Sequence, residues 1–226
     1  MAKASISDFG EVYSAYAAGC LDPAFALMVE TQATLKPEVS RALIRAETIA
    51  GVFLESEAQA ELTSGALDQA FALIGAQEAH AAGPERQAMA ARGACSAIDE
   101  LLRLPDPLRD HALKACGGPG WQNLTPGVRR LKLDIGSAAE VELYRIEPGR
   151  TVPRHSHKGD EFTLVVAGGF SDETGNYAPG DLCVKSEDDT HQPTGDMDGV
   201  CFALAVHEGG LRFTGVIGLV QKLLGQ

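Results

Sequence analysis

Residues 149–168 read Gly-Arg-Thr-Val-Pro-Arg-His-Ser-His-Lys-Gly-Asp-Glu-Phe-Thr-Leu-Val-Val-Ala-Gly. His155 and His157 are two apart, so a β-strand would point both imidazoles to one face. Glu161 follows past the Lys158-Gly159 turn and opens a new apolar run, so a hairpin folds its carboxylate back beside the two rings. His191, ahead of Gln192-Pro193, is the obvious fourth donor. Three neutral imidazole nitrogens and one carboxylate oxygen suit Zn²⁺, and also Fe²⁺, Mn²⁺ or Ni²⁺. His-x-His alone is common by chance. His-x-His-x₃-Glu with Gly149 and Gly168 at both flanks is not. Asp160 is out of phase with Glu161 and reads as a surface residue.

Outward from this stretch the chain divides. Upstream, Phe9, Val12, Tyr13 and Tyr16 share a helical face. Asp22-Pro23 reads as an N-cap with proline at the first helical position, leading a helix through Phe25 to Thr31. Pro37 opens a third helix, whose stripe is Val39, Ala42, Leu43, Ala46, Ala50, Phe53 and Leu54. Ser64 reads as the cap of a short fourth helix holding Leu67, Phe71 and Ile74. Residues 75–90 are small and polar and read as a linker. A helix is expected over Arg86 to Leu102 and a short one over Pro107 to Ala115. After Gly117-Gly118-Pro119-Gly120 the period becomes that of strands: Val128 to Leu133, Ala139 to Ile146, Phe162 to Val166, Asp181 to Val184 and Cys201 to Val206. Val216 to Leu224 reads as a closing helix. Short strands gathered in one half suggest a small β-barrel. Tyr144, Thr163, Phe170 and Phe202 are candidates to line its interior, and no cluster of Arg or Lys is present to hold an anionic substrate.

Composition narrows the function. The chain has 226 residues, is 45% hydrophobic and carries a formal charge of −12. With no basic patch, direct nucleic-acid binding is not expected. No stretch approaches about 20 apolar residues, and the N-terminus carries no signal sequence, so a cytoplasmic protein is expected. Cys20, Cys95, Cys116, Cys183 and Cys201 are odd in number and scattered, which reads as reduced thiols, with Cys183 and Cys201 as buried small apolar residues. His80, His111 and His207 read as solvated and are assigned no site.

Gly149, His155, His157, Glu161 and Gly168 match the first cupin motif at every position, and Asn176-Tyr177-Ala178-Pro179-Gly180-Asp181 resembles the turn of the second. His191 comes later than in the commonest cupin spacing, and in this the chain resembles ChrR-type anti-sigma factors. Phe170-Ser171-Asp172-Glu173, Leu104 to Arg109, Trp121 to Val128 and Leu211-Arg212-Phe213 are similar to that family too. Tyr16 to Gly19 and Val29 to Leu35 resemble its anti-sigma domain. The resemblance implies an α+β protein of two domains. An N-terminal small helical bundle would span residues 1–75, a linker and connecting helix 76–100, and a C-terminal cupin β-barrel, an antiparallel jelly roll, 101–226. It implies one divalent metal on His155, His157, Glu161 and His191, an extracytoplasmic-function sigma factor as partner, and a stress signal sensed at the metal. The family's second, N-terminal zinc is not expected, because its ligand positions carry Ser7, Gln32, Lys36 and Val39. The alternative is a metal-dependent cupin dioxygenase acting on a diketone-type small molecule. A third reading is a metal-binding module that pairs with itself as a homodimer.

Overall fold

The computed structural model describes residues 10–81, 98–207 and 211–213. Helices α1 (Gly10–Ala17), α2 (Pro23–Leu35), α3 (Pro37–Ser56), α4 (Ala66–Ala81), α5 (Ile98–Leu101) and α6 (Asp106–Gly117) precede twelve strands. These are β1 (Gln122–Thr125), β2 (Val128–Leu133), β3 (Glu140–Ile146), β4 (His155–His157), β5 (Glu161–Ala167), β6 (Phe170–Asp172), β7 (Gly175–Tyr177), β8 (Leu182–Lys185), β9 (Thr190–His191), β10 (Thr194–Gly195), β11 (Cys201–His207) and β12 (Leu211–Phe213). All pairings are antiparallel. One sheet runs β1-β2-β3-β11-β5-β8, and two three-stranded sheets, β10-β6-β7 and β12-β4-β9, complete the barrel. The expected closing helix at Val216 to Leu224 and most of the Arg86 to Leu102 helix lie outside the described residues. Helix α4 extends to Ala81, into the stretch read as linker. No helix among the described residues is long and apolar enough to cross a membrane.

Period-two alternation on the large sheet sorts its side chains. Leu143, Leu164 and Leu204 point outward into the core shared with the helices, and Tyr144, Val165 and Ala203 point into the barrel. Phe202 points outward, against Trp121, and does not line the interior as its sequence position suggested. Gly168 closes the β5–β6 turn at φ 66, and a Cβ there would strike the Val200 carbonyl. That collision explains why the motif ends on glycine.

Helix α2 rivets the helical part to the barrel. Asp22 caps it, accepting from Ala24 N–H at 2.8 Å and from the Ser137 hydroxyl of the β2–β3 loop at 2.7 Å. Ala24, Leu27 and Met28 are buried against the sheet, and Phe25 meets Phe162 edge-on at 5.1 Å. At the other end Gln32 Nε2 donates to the Gly180 carbonyl at 3.0 Å, and Lys36 Nζ donates to Asp181 Oδ1 at 3.2 Å. Gly180 has φ 83, and a Cβ on it would lie 2.6 Å from the Lys36 stem. The opposite side of α2 offers Val29 to a small core with Tyr13, Val39, Ala42 and Leu43. A helix buried on two faces shows no single stripe, so α2 runs to Leu35, beyond the expected end at Thr31.

The stripe on α3 is covered for only half its length. Val39, Ala42 and Leu43 are buried, but Phe53 and Leu54 are 68% and 75% exposed. Leu67 and Phe71 of α4 are likewise exposed, so the fourth helix does not bury them in a bundle. Cys20, Cys183 and Cys201 are free thiols, but Cys116, at the end of α6, is disulfide-bonded. Scattered spacing gave no sign of that bond, because its closure depends on the tertiary course of the chain.

Candidate metal centre

Strand β4 is only three residues long, and its alternation turns His155 and His157 into the barrel, 3% exposed each. Strand β9 pairs with it so that His191 lies opposite His155. Glu161 enters from the first position of β5. His191 Nε2 lies 3.1 Å from His155 Nε2, 3.2 Å from His157 Nε2 and 3.4 Å from Glu161 Oε2, and His157 Nε2 lies 3.2 Å from the same oxygen. The structure thus brings together all four residues singled out in the sequence.

The tautomers decide what these contacts are. His155 Nδ1 lies 2.8 Å from the Pro153 carbonyl, and His191 Nδ1 lies 3.0 Å from Asp172 Oδ2. Both oxygens only accept, so both Nδ1 atoms carry hydrogen and both Nε2 atoms of the neutral rings present lone pairs. Lone pairs converging at such distances repel. Glu161 Oε2 has no hydrogen-bond donor. One proton can relieve one of these contacts, whereas one metal ion relieves all of them. Four donors set tetrahedrally about 2.0–2.1 Å from a cation stand about 3.3–3.4 Å apart. The four observed separations, 3.1–3.4 Å, lie close to that edge length, and all four donors lie within 4.8 Å of one another, so the group can hold a metal ion.

Electrostatics favour the ligand forms. Burial pushes His155 down to about 4 and lowers His157, so both rings are neutral near pH 7. Burial disfavours the Glu161 carboxylate, but the His191, His207 and His157 rings around it outweigh that and hold the group below the usual range. His191 is the exception. Burial opposes its charge, yet the hydrogen bond to Asp172 and the nearby Glu161 carboxylate prevail and raise it. Beside the donors is a cavity of about 30 Å³, walled by Tyr144, Ile146, Val152, Thr163, Phe170 and Ala203. Burial pushes the Cys183 and Cys201 thiols up to about 11 and about 12, which makes them poor nucleophiles.

Several buried polar residues escaped the sequence reading. His207, read as solvated, is 2% exposed, with Nδ1 3.5 Å from Glu161 Oε1 and Nε2 3.8 Å from Glu142 Oε2. It ends β11, a strand paired on both sides and buried throughout. Glu142 accepts from Tyr144 Oη at 2.6 Å and Arg130 at 3.1 Å. Its phase with Tyr144 on β3 was the only available signal. Asp160 is exposed, as read.

Residues 111–209 match the family model of the ChrR cupin-like domain. Over 200 residues the chain is 32% identical to the anti-sigma-E factor ChrR of Cereibacter sphaeroides, covering 88% of both proteins. The crystal structure of Rhodobacter sphaeroides SigE in complex with the anti-sigma ChrR is matched with a TM-score of 0.65 at 28% identity, over 92% of this chain and 98% of that one. The chain therefore belongs to the ChrR family of anti-sigma factors.

Proposed function

We propose that this chain is an anti-sigma factor that captures a sigma factor of the extracytoplasmic-function type on α3 and α4 and responds to a signal at a metal ion held by His155, His157, Glu161 and His191. One observation carries the reading. Ten of the twelve large exposed apolar side chains among the described residues fall between Ile44 and Ile74, on the outer turns of α3, the following loop and α4. Scattered exposed leucines mean little, but a concentration of them marks a surface waiting for a partner. The inner turns of α3 use the same stripe to build the chain's own core, and the outer turns leave it free. The relative's solved partner is SigE, and a sigma factor of that kind is the occupant proposed here. The net charge of −12 suits a partner with basic nucleic-acid surfaces.

Zinc is the favoured ion, because a closely spaced N₃O donor set matches it. Such an ion supplies a fixed positive charge that ties β4, β5 and β9 together. Its influence has a short route outward. Glu161 and Phe162 are adjacent on β5 and point to opposite faces, the first into the metal centre and the second onto Phe25 of α2. A change at the metal that shifts β5 therefore presses on the helix that anchors the sigma-binding part. A signal works this way only if the two states of the metal centre differ in affinity for the sigma factor. The cavity of about 30 Å³ favours sensing over catalysis, since it has room for a water-sized molecule and pockets for organic substrates run to about 300 Å³ or more.

The test is equilibrium binding of the purified chain to a SigE-type sigma factor from the same organism. A 1:1 complex whose affinity changes on metal removal is expected. No complex with either metal-loaded or metal-stripped protein would refute the proposal.

A further inference from the structure

A second group of donor atoms lies behind the first. Asp172, Cys183 and His191 place a carboxylate oxygen, a thiol and a ring nitrogen within 4.8 Å of one another, the makings of a second metal site. The chain fills the cation's place itself. Lys185 enters from β8, 2% exposed, and its Nζ donates to Asp172 Oδ2 at 2.9 Å and to Thr174 Oγ1 at 2.6 Å. Cys183 Sγ stays 4.0 Å from Asp172 Oδ2, with its thiol pushed up, not down. The group is built around an ammonium ion.

What Lys185 holds is one aspartate, gripped at both oxygens. Asp172 Oδ1 accepts from the Thr174 N–H at 2.8 Å, the Thr174 hydroxyl at 2.6 Å and the Gly175 N–H at 3.2 Å. Asp172 Oδ2 accepts from Lys185 and, at 3.0 Å, from His191 Nδ1–H. The other two rings of the centre are held differently at Nδ1. His155 Nδ1 meets a backbone carbonyl, and His157 Nδ1 is buried without a hydrogen-bond partner. An imidazole that donates from Nδ1 to a carboxylate must offer its lone pair at Nε2, is fixed in rotation and becomes a stronger base toward a metal.

We propose that Asp172, locked by Lys185 and Thr174, is the positioning residue of the metal centre, fixing the tautomer and direction of His191 and making it the strongest of the three histidine ligands. The proposal rests on the reading of His155, His157, Glu161 and His191 as a metal site. It assigns a purpose to a buried Lys–Asp pair, and a buried ion pair by itself is weak evidence for stability.

The test uses the full-length chain with Zn²⁺ as the probe, in competition with a chelator of known affinity. The variant is D172N/K185M, which removes both charges together and leaves no unpaired ion buried. Its zinc affinity is expected to fall by roughly 10–100-fold, with one site per chain at saturation and the metal-free unfolding midpoint near that of the wild type. In ¹⁵N spectra of the metal-free wild type, the His191 proton is expected on Nδ1. Zinc affinity within twofold of the wild type, or a His191 proton on Nε2, would overturn the proposal. If the double variant does not fold, the wild-type ring spectra decide alone. A wild-type chain that takes up no zinc overturns the metal reading itself and this inference with it. Tight wild-type binding with an unaffected variant overturns only the role of Asp172.

Discussion

The double substitution F53A/F71A separates the docking face from the folded core. Phe53 and Phe71 are 68% and 63% exposed, so truncating them removes little that the chain itself buries. Unfolding free energy is expected to change by no more than about 0.5 kcal/mol. In a sigma complex the same rings go from exposed to buried. Full burial of a phenylalanine side chain contributes roughly 1.5–3 kcal/mol, and about two-thirds of that remains to be gained here. Each ring is then worth about 1–2 kcal/mol to the complex, and the pair about 2–4 kcal/mol, which lowers affinity roughly 30- to 700-fold. Titration calorimetry against the SigE-type sigma factor reads the affinity, and thermal unfolding of the free chain reads the fold. An affinity reduced less than threefold, in a variant that unfolds like the wild type, would refute the assignment of this face to the partner.

Other outcomes follow from the same geometry. H155A is expected to abolish stoichiometric metal binding, because it removes one of four converging donors; metal analysis of protein purified without added metal or chelator checks this. The metal-free protein should lose stability in acid. His155 titrates near 4 in the fold against an ordinary 6.5, so between those values the unfolded chain binds more protons and stability rises with pH. Going from pH 7 to pH 5 should therefore cost on the order of 2 kcal/mol through His155. His157 and Glu161, both lowered, act in the same sense, and His191, raised, opposes them. Urea unfolding in chelator at the two pH values measures it, and greater stability at pH 5 would contradict the sign. Q32A/K36A should loosen α2 from the barrel by about 1–2 kcal/mol, since it deletes a hydrogen bond and a partly buried ion pair. Hydrogen exchange in α2 should rise more than in β11.

The centre was legible because its information is local. His155, His157 and Glu161 fall within one hairpin, where phase alone decides which way each points, and His191 was the remaining histidine next to a turn. Asp22-Pro23, Pro37 and the strand periods were legible for the same reason. Lys185, Asp172, Glu142 and His207 were not. Burying a charged side chain is tolerable only beside its partner, and those partners are set by pairings such as Glu161 opposite Lys185 and His207 opposite Glu161. Phe53 and Leu54 teach the converse. A helical stripe predicts an apolar face and is silent on whether the chain or a partner covers it.

Transcription in vitro by polymerase carrying the SigE-type sigma factor tests the central claim most directly. The metal-loaded chain is expected to silence that sigma factor's promoter near one equivalent, and F53A/F71A to need far more. Undiminished transcription at a large excess of folded, metal-loaded chain would contradict the account.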